Sequence, residues 1–155
     1  MSAVLQEPAP NFRPMTEADI PFILEVENHA YVFPWSEEIF KDCLRVGYCC
    51  WLMELEDVIS AYGIVSIAAG ESHVMNLCVN PEYHGMGFGR MMLDFMLDVT
   101  KKHNVDNIFL EVRPSNSQAK RLYESAGFCE VGIRKDYYPA EVGREDAIIM
   151  ALTLI

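Results

Sequence analysis

The chain is short of positive charge, of pairable cysteines and of long apolar runs, and each shortage excludes a class of protein. Twelve Lys plus Arg stand against 23 Asp plus Glu, a net charge of −11. Such an acidic body disfavours binding to nucleic acid and suits a cationic macromolecular partner, besides keeping the protein dissolved. The five cysteines, Cys43, Cys49, Cys50, Cys78 and Cys129, are odd in number and lack C-x-x-C spacing. That argues against a disulfide framework or a cysteine zinc site and for small buried thiols in a reducing compartment. No run of about eighteen apolar residues occurs, and MSAVLQEPAPNF has no basic n-region or long apolar stretch, so neither a membrane span nor a secretory leader is expected. A cytoplasmic protein follows. The four histidines show no metal-ligand spacing, and no metal is expected.

What remains is a chain of 155 residues, 51% hydrophobic, without repeats or low-complexity tracts. It suits one domain over residues 10–155 after a mobile, proline-bearing lead-in over residues 1–9. Asn11 to Met15 reads as a short edge strand that tolerates Pro14. Thr16 reads as the N-cap of a helix to about Asn28, and Ser36 as the cap of a second helix ending near Gly47. Between them lies an aromatic loop, Tyr31-Val32-Phe33-Pro34-Trp35. YCCWLMELE, VISAYGIVSIA and HVMNLCVN are strand candidates separated by short turns, the pattern of an antiparallel meander. A helix to about His103, the strand NIFLEV, a helix over 117–126, a strand around FCEVGI, a loop with Tyr137-Tyr138-Pro139 and a last strand EDAIIMALTL complete an α/β fold with a mixed sheet.

The stretch from Val74 to Met96 organises the rest. Alternation places Val74, Asn76 and Cys78 on one side of a strand and Met75, Leu77 and Val79 on the other. The strand breaks at Asn80-Pro81, passes through Gly85-Met86-Gly87-Phe88-Gly89-Arg90 and opens a helix. Strand, glycine loop and helix start make an anion-binding device, because glycines admit close backbone approach and the first helical N–H groups favour phosphate oxygens. The loop does not end in the G-K-[ST] of a Walker motif, and a Rossmann fingerprint would need glycine at Arg90.

Residues 74–90 resemble motif A of the GCN5-related N-acetyltransferases, [RQ]-x-x-G-x-[GA] after a strand ending in V-x-P. Gly87, Gly89, Arg90 and Val79-Asn80-Pro81 match, while His84 stands where Gln or Arg is usual. The resemblance implies that the amides of Leu77 and Val79, with Cys78 between them, hold the pantetheine and acetyl carbonyl of acetyl-CoA. Residues Gly85 to Arg90 would hold its pyrophosphate. The chain further resembles the RimI type, the ribosomal-protein-alanine N-acetyltransferases, at Phe33-Pro34-Trp35-Ser36, Leu110 to Arg113 with Ser115-Asn116, Leu122 to Ser125, Tyr137-Tyr138-Pro139 and Gly143 to Ala147.

That likeness implies a mostly antiparallel sheet flanked by about four helices, and acetylation of the N-terminal alanine of a small-subunit ribosomal protein. By its match to the family, Glu111 becomes the base, acting through water, Tyr123 the acid toward the thioester sulfur, and Asn116 a hydrogen-bond partner of the pantetheine arm. Phe33, Pro34, Trp35, Tyr137 and Tyr138 would wall a peptide groove. Arg144, Glu145 and Asp146 would pair with one another or fix the last strand. An acceptor that is a lysine side chain or a small amine, and a catalytically silent acyl-CoA-binding module, stay open as alternatives.

Overall fold

The computed structural model describes residues 8–155; most of the expected lead-in, residues 1–7, lies outside the described residues. Seven strands form one sheet in the order β1-β2-β3-β4-β5-β7-β6. The strands are β1 Asn11–Pro14, β2 Cys49–Leu55, β3 Val58–Ala68, β4 Glu71–Val79, β5 Asn107–Val112, β6 Cys129–Pro139 and β7 Arg144–Thr153. The helices are α1 Ile20–Ala30, α2 Glu37–Arg45, α3 Phe88–Lys101 and α4 Ser117–Ser125. The expected meander is present as β2, β3 and β4. Its two hairpin turns, Glu56-Asp57 and Ala69-Gly70, all take positive φ, the twist that joins antiparallel strands tightly.

The helix expected from Thr16 begins as a 3-10 turn over Glu17–Asp19 before α1. The Asp19 carboxylate accepts from the backbone N–H and hydroxyl of Thr16 and is clamped by Arg13, which also reaches Glu54 on β2. Arg13 thereby ties β1, the helix start and β2 together. It pulls the Asp19 pKa down to about 2, chiefly through its hydrogen bonds.

Two cores lie on the two faces of the sheet. Ile20, Ile23 and Phe40 of α1 and α2 pack on Leu52, Tyr62 and Ile64. On the other face Met92, Leu93 and Met96 of α3 pack with Ala61, Val65, Ile108 and Leu110, and Tyr123 of α4 joins them. Gly63 allows α3 to lie close, since a Cβ there would come within 2.8 Å of Met96 Cγ. In α3 the buried rows are Phe88, Met92, Met96, Thr100 and Leu93, Leu97, whereas Met91 is exposed.

The pairing of β4 corrects the simple alternation. Ile64 pairs with Asn76 but Val65 pairs with Val74, so Met75 is an extra, bulged residue. The bulge shifts the phase by one. Val74, Leu77 and Val79 therefore share the α3 face, and Cys78 lies in the α1–α2 core. Among the described residues β4 and β5 form the one parallel pair, and only over Glu71–His73 against Asn107–Phe109. Beyond the bulge the two strands part, leaving a gap through the sheet. A second correction concerns Tyr137-Tyr138-Pro139, expected in a loop but lying at the end of β6. Pro139 is tolerated there as the last residue of an edge strand.

Candidate active site

Two cavities meet at the gap. The larger, about 540 Å³, lies between the end of β4 and the starts of α3 and α4. The smaller, about 380 Å³, runs between β4 and β5 under the α1–α2 loop. Tyr31, Asn116 and Ala119 line both and mark the junction.

The larger cavity has features that suit an anion. Gly85 and Gly87 take φ of +80° and +78°, and a Cβ at either would meet nothing within 4 Å, so backbone conformation rather than crowding selects glycine. Gly89 is different: its Cβ would lie 3.3 Å from Leu122 Cδ2, closer than most side chains tolerate, and 3.5 Å from Val79 Cγ2, an ordinary contact, so glycine there eases the approach of α3 to α4. Gly87 is the N-cap of α3 and offers no side chain to the first-turn N–H groups. Those donors are left for a ligand, and the 14-residue helix adds its partial positive charge. These features fit a pyrophosphate.

Of the expected loop residues, Gly85, Gly87, Phe88, Gly89 and Arg90 line this cavity with Cys78 and Val79. Met86 does not, being 55% exposed beside it, and Leu77 lines the smaller cavity. Arg90 is engaged, with Nε on Asp94 at 2.9 Å and Nη1 on the Ser125 carbonyl and hydroxyl at 3.1 and 3.0 Å. Arg121 and Gln118, which sequence reasoning missed, also line it.

The parted edge of β4 faces the junction. Tyr31 Oη donates to the Leu77 carbonyl at 2.8 Å, and His84 Nε2 lies 3.2 Å from the Val79 carbonyl. In an antiparallel ladder the N–H and C=O of one residue point to the same edge. The N–H groups of Leu77 and Val79 therefore face the gap as well. His84, in the position of the usual Gln or Arg, serves here as a brace on the strand end. Asn116 is the N-cap of α4, its Oδ1 accepting from Ala119 N at 3.1 Å, which leaves the side-chain NH₂ for the cavity.

Glu111 and Tyr123 both line the smaller cavity. Leu110 and Val112 bury into the α3 side, so Glu111 between them points to the opposite face. His73 Nε2 and Arg134 Nε lie 3.8 and 3.4 Å from its Oε1. Neither neighbour was legible beforehand; His73 comes from β4 and Arg134 from β6. Tyr123 is 8% exposed, packs edge-on against Phe128 with centroids 5.7 Å apart, and is pushed up to about 12, first by burial and then by Cys78. Its phenol stays protonated throughout the neutral range.

Phe33, Trp35 and Tyr138 line the smaller cavity, and Pro34 and Tyr137 do not. Arg113 stacks between the rings of Tyr138 (4.4 Å) and Phe33 (5.3 Å) and binds the Pro139 carbonyl and Glu145. Glu145 also takes Ser115 N–H and hydroxyl, Arg144 binds the carbonyls of Asp136 and Tyr137, and Asp146 accepts from Asp136 N–H. The triplet thus fastens β6 and the β5–α4 loop, and its members do not pair with one another. Among the described residues no group of His, Cys, Asp and Glu could hold a metal, and no helix is long and apolar enough to cross a membrane.

Comparison with known proteins finds relatives in sequence and in fold. The chain is 40% identical over 136 residues to the [ribosomal protein bS18]-alanine N-acetyltransferase of Escherichia coli (strain K12), covering 88% of this chain and 92% of that protein. It is 31% identical over 144 residues to a putative enzyme of the same name from Bacillus subtilis (strain 168), covering 92% and 94%. The crystal structure of the Escherichia coli ribosomal-protein-S18-alanine N-acetyltransferase superimposes with a TM-score of 0.89 at 37% identity, covering 94% of each chain. The model of the acetyltransferase (GNAT) family matches residues 13–128, and the chain belongs to that family.

Proposed function

We propose that residues 10–155 form one acetyltransferase domain that moves the acetyl group of acetyl-CoA to the N-terminal α-amino group of a protein. The acceptor is the N-terminal alanine of a small-subunit ribosomal protein, the activity that the names of the relatives state for them. The observation that carries this reading is the meeting of two cavities at the β4–β5 gap, one a phosphate cradle and the other holding Glu111, Tyr123 and an aromatic wall.

The chemistry follows from that placement. The amine enters from the side of Phe33, Trp35 and Tyr138 and loses its proton to Glu111 through water. The acetyl oxygen, gaining negative charge, is met by a strand N–H at Val79. Tyr123 donates to the departing sulfur. An α-amine has a pKa near 8 and a lysine near 10.4, so about a tenth of the first and under a thousandth of the second is neutral at pH 7. A single carboxylate therefore suits an α-amine better. The balance of −11 suits a basic acceptor protein, and five unbridged thiols suit the cytoplasm.

The test is incubation with acetyl-CoA and a panel of Ala-starting peptides, lysine peptides and polyamines, followed by mass spectrometry of the ribosomal protein's N-terminus. One acetyl on the N-terminal alanine is expected. Acetylation confined to lysine or polyamine would overturn the acceptor assignment.

A further inference from the structure

Glu27, in the last turns of α1, is 1% exposed, yet among the described residues none of its hydrogen-bond partners is a cation. Its Oε1 accepts from Tyr62 Oη at 2.6 Å and Asn76 Nδ2 at 3.0 Å, and its Oε2 from the backbone N–H of Trp35 at 2.9 Å. Taking a carboxylate out of water is costly unless such bonds replace its hydration. The three donors come from three separate places: β3, the residue after the bulge of β4, and the α1–α2 loop. An amide in the same position has one acceptor oxygen and an NH₂ group. Its NH₂ would face the Trp35 N–H, donor against donor, so only the charged side chain satisfies all three.

The network continues toward the reacting centre. Tyr31 Oη reaches Asn76 Oδ1 at 3.4 Å and the Leu77 carbonyl at 2.8 Å. Glu27 thus joins the loop bearing Phe33 and Trp35 to the strand edge at the gap, and it lines the smaller cavity. The core has other means of holding this loop, since Trp35 packs on Phe40 with centroids 5.3 Å apart. What the carboxylate adds is a fixed spacing between the loop and β4.

We infer that Glu27 is a positioning residue for the acceptor amine, setting the width of the cavity between the α1–α2 loop and β4. The inference rests on the reading of that cavity as the acceptor site. It is tested by steady-state kinetics with whichever amine of the panel the wild-type enzyme acetylates best. An acceptor other than an Ala-starting peptide would therefore overturn the N-terminal assignment and leave this test intact. Glu27→Gln is expected to raise KM for the acceptor about tenfold or more, the effect of one misplaced polar contact, while KM for acetyl-CoA stays within about twofold. In a Trp51→Phe background, Trp35 emission should move to the red as the loop loosens. Glu27→Asp keeps the charge but draws it back by one methylene, and should show the same split. Tyr62→Phe removes a donor without touching the loop and should lower the melting temperature with acceptor KM within about twofold. Equal rises in both KM values, or a lower melting temperature with acceptor KM unchanged in both Glu27 variants, would overturn the inference.

Discussion

Glu111 and Tyr123 stand on opposite faces of one sheet and reach a common cavity only where β4 and β5 part. Glu111 shares its face with the α1–α2 loop that would admit the amine; Tyr123 rises from the α3–α4 side. A thioester lying through the gap would be attacked from one face and lose its thiolate toward the other. On the proposed mechanism the sheet thus keeps base and acid apart.

Separate roles predict separate kinetic effects. Glu111→Gln and Tyr123→Phe are each expected to lower kcat by about 10² to 10⁴ with acetyl-CoA affinity unchanged. Tyr123→Phe keeps the ring against Phe128, so the loss would report the hydroxyl. With burial holding this phenol at about 12, it stays protonated across the neutral range. The pH–rate profile between about pH 6 and 9 should keep its shape in Tyr123→Phe while falling in height. Turnover unchanged in both variants would refute the assignment of base and acid.

The glycines of the loop should fail in two different ways. Gly87→Ala places a side chain at positive φ in open space, so its expected cost is backbone strain, about 1–2 kcal/mol, with first-turn N–H groups displaced from the phosphate. Gly89→Ala instead presses on the Leu122 side chain at 3.3 Å, while Val79 at 3.5 Å stays in ordinary contact, and should strain the packing of α3 against α4. Melting curves with and without acetyl-CoA separate them, because ligand-induced stabilisation follows affinity. Gly87→Ala should lose more of the ligand shift than of the intrinsic melting temperature. A full ligand shift in both variants would refute the cradle.

Much of this arrangement was legible in the chain. The meander, the glycine loop, α4 with its Asn116 cap, and the mixed sheet follow from local pattern and turn chemistry. The bulge at Met75 does not, because strict alternation presumes one residue per pleat. The trace it leaves is Val74 and Leu77, three apart and both on the α3 face, with Asn76 out of phase between them. Long-range polar contacts were equally hidden. Glu27 meets Tyr62 and Asn76, 35 and 49 residues away, and Glu111 meets His73 and Arg134 from other strands. Only the register of the sheet brings them together.

The Arg13–Asp19–Glu54 cluster predicts an acid-sensitive fold. Arg13 holds the Asp19 carboxyl near a pKa of about 2, below its ordinary value of 3.8. For a depressed carboxylate, the contribution to stability is complete above the unfolded pKa and vanishes as pH falls through the folded one. The wild type should therefore lose stability between about pH 5 and 2. Asp19→Asn should be less stable at pH 7 by about 1–3 kcal/mol and show a shallower decline over that window. Urea unfolding at several pH values measures both. Parallel pH curves for the two proteins would count against the pairing.

The cavity proposed for the cofactor carries two arginines with different commitments. Arg90 is bound to Asp94 and Ser125, whereas Arg121 makes no ion pair within 4 Å among the described residues and lines the same cavity. A guanidinium already paired gains less from a phosphate than one that is free, because it must first give up its carboxylate. Arg121→Ala is therefore expected to raise KM for acetyl-CoA about three- to tenfold, with a weaker dependence of KM on salt as one phosphate contact is lost. Arg90→Ala should act mainly on stability, by freeing Asp94 and the end of α4, and leave KM within about twofold. Titration of acetyl-CoA at two ionic strengths distinguishes them. A larger KM effect at Arg90 than at Arg121 would mean that Arg90 leaves Asp94 when the phosphates arrive.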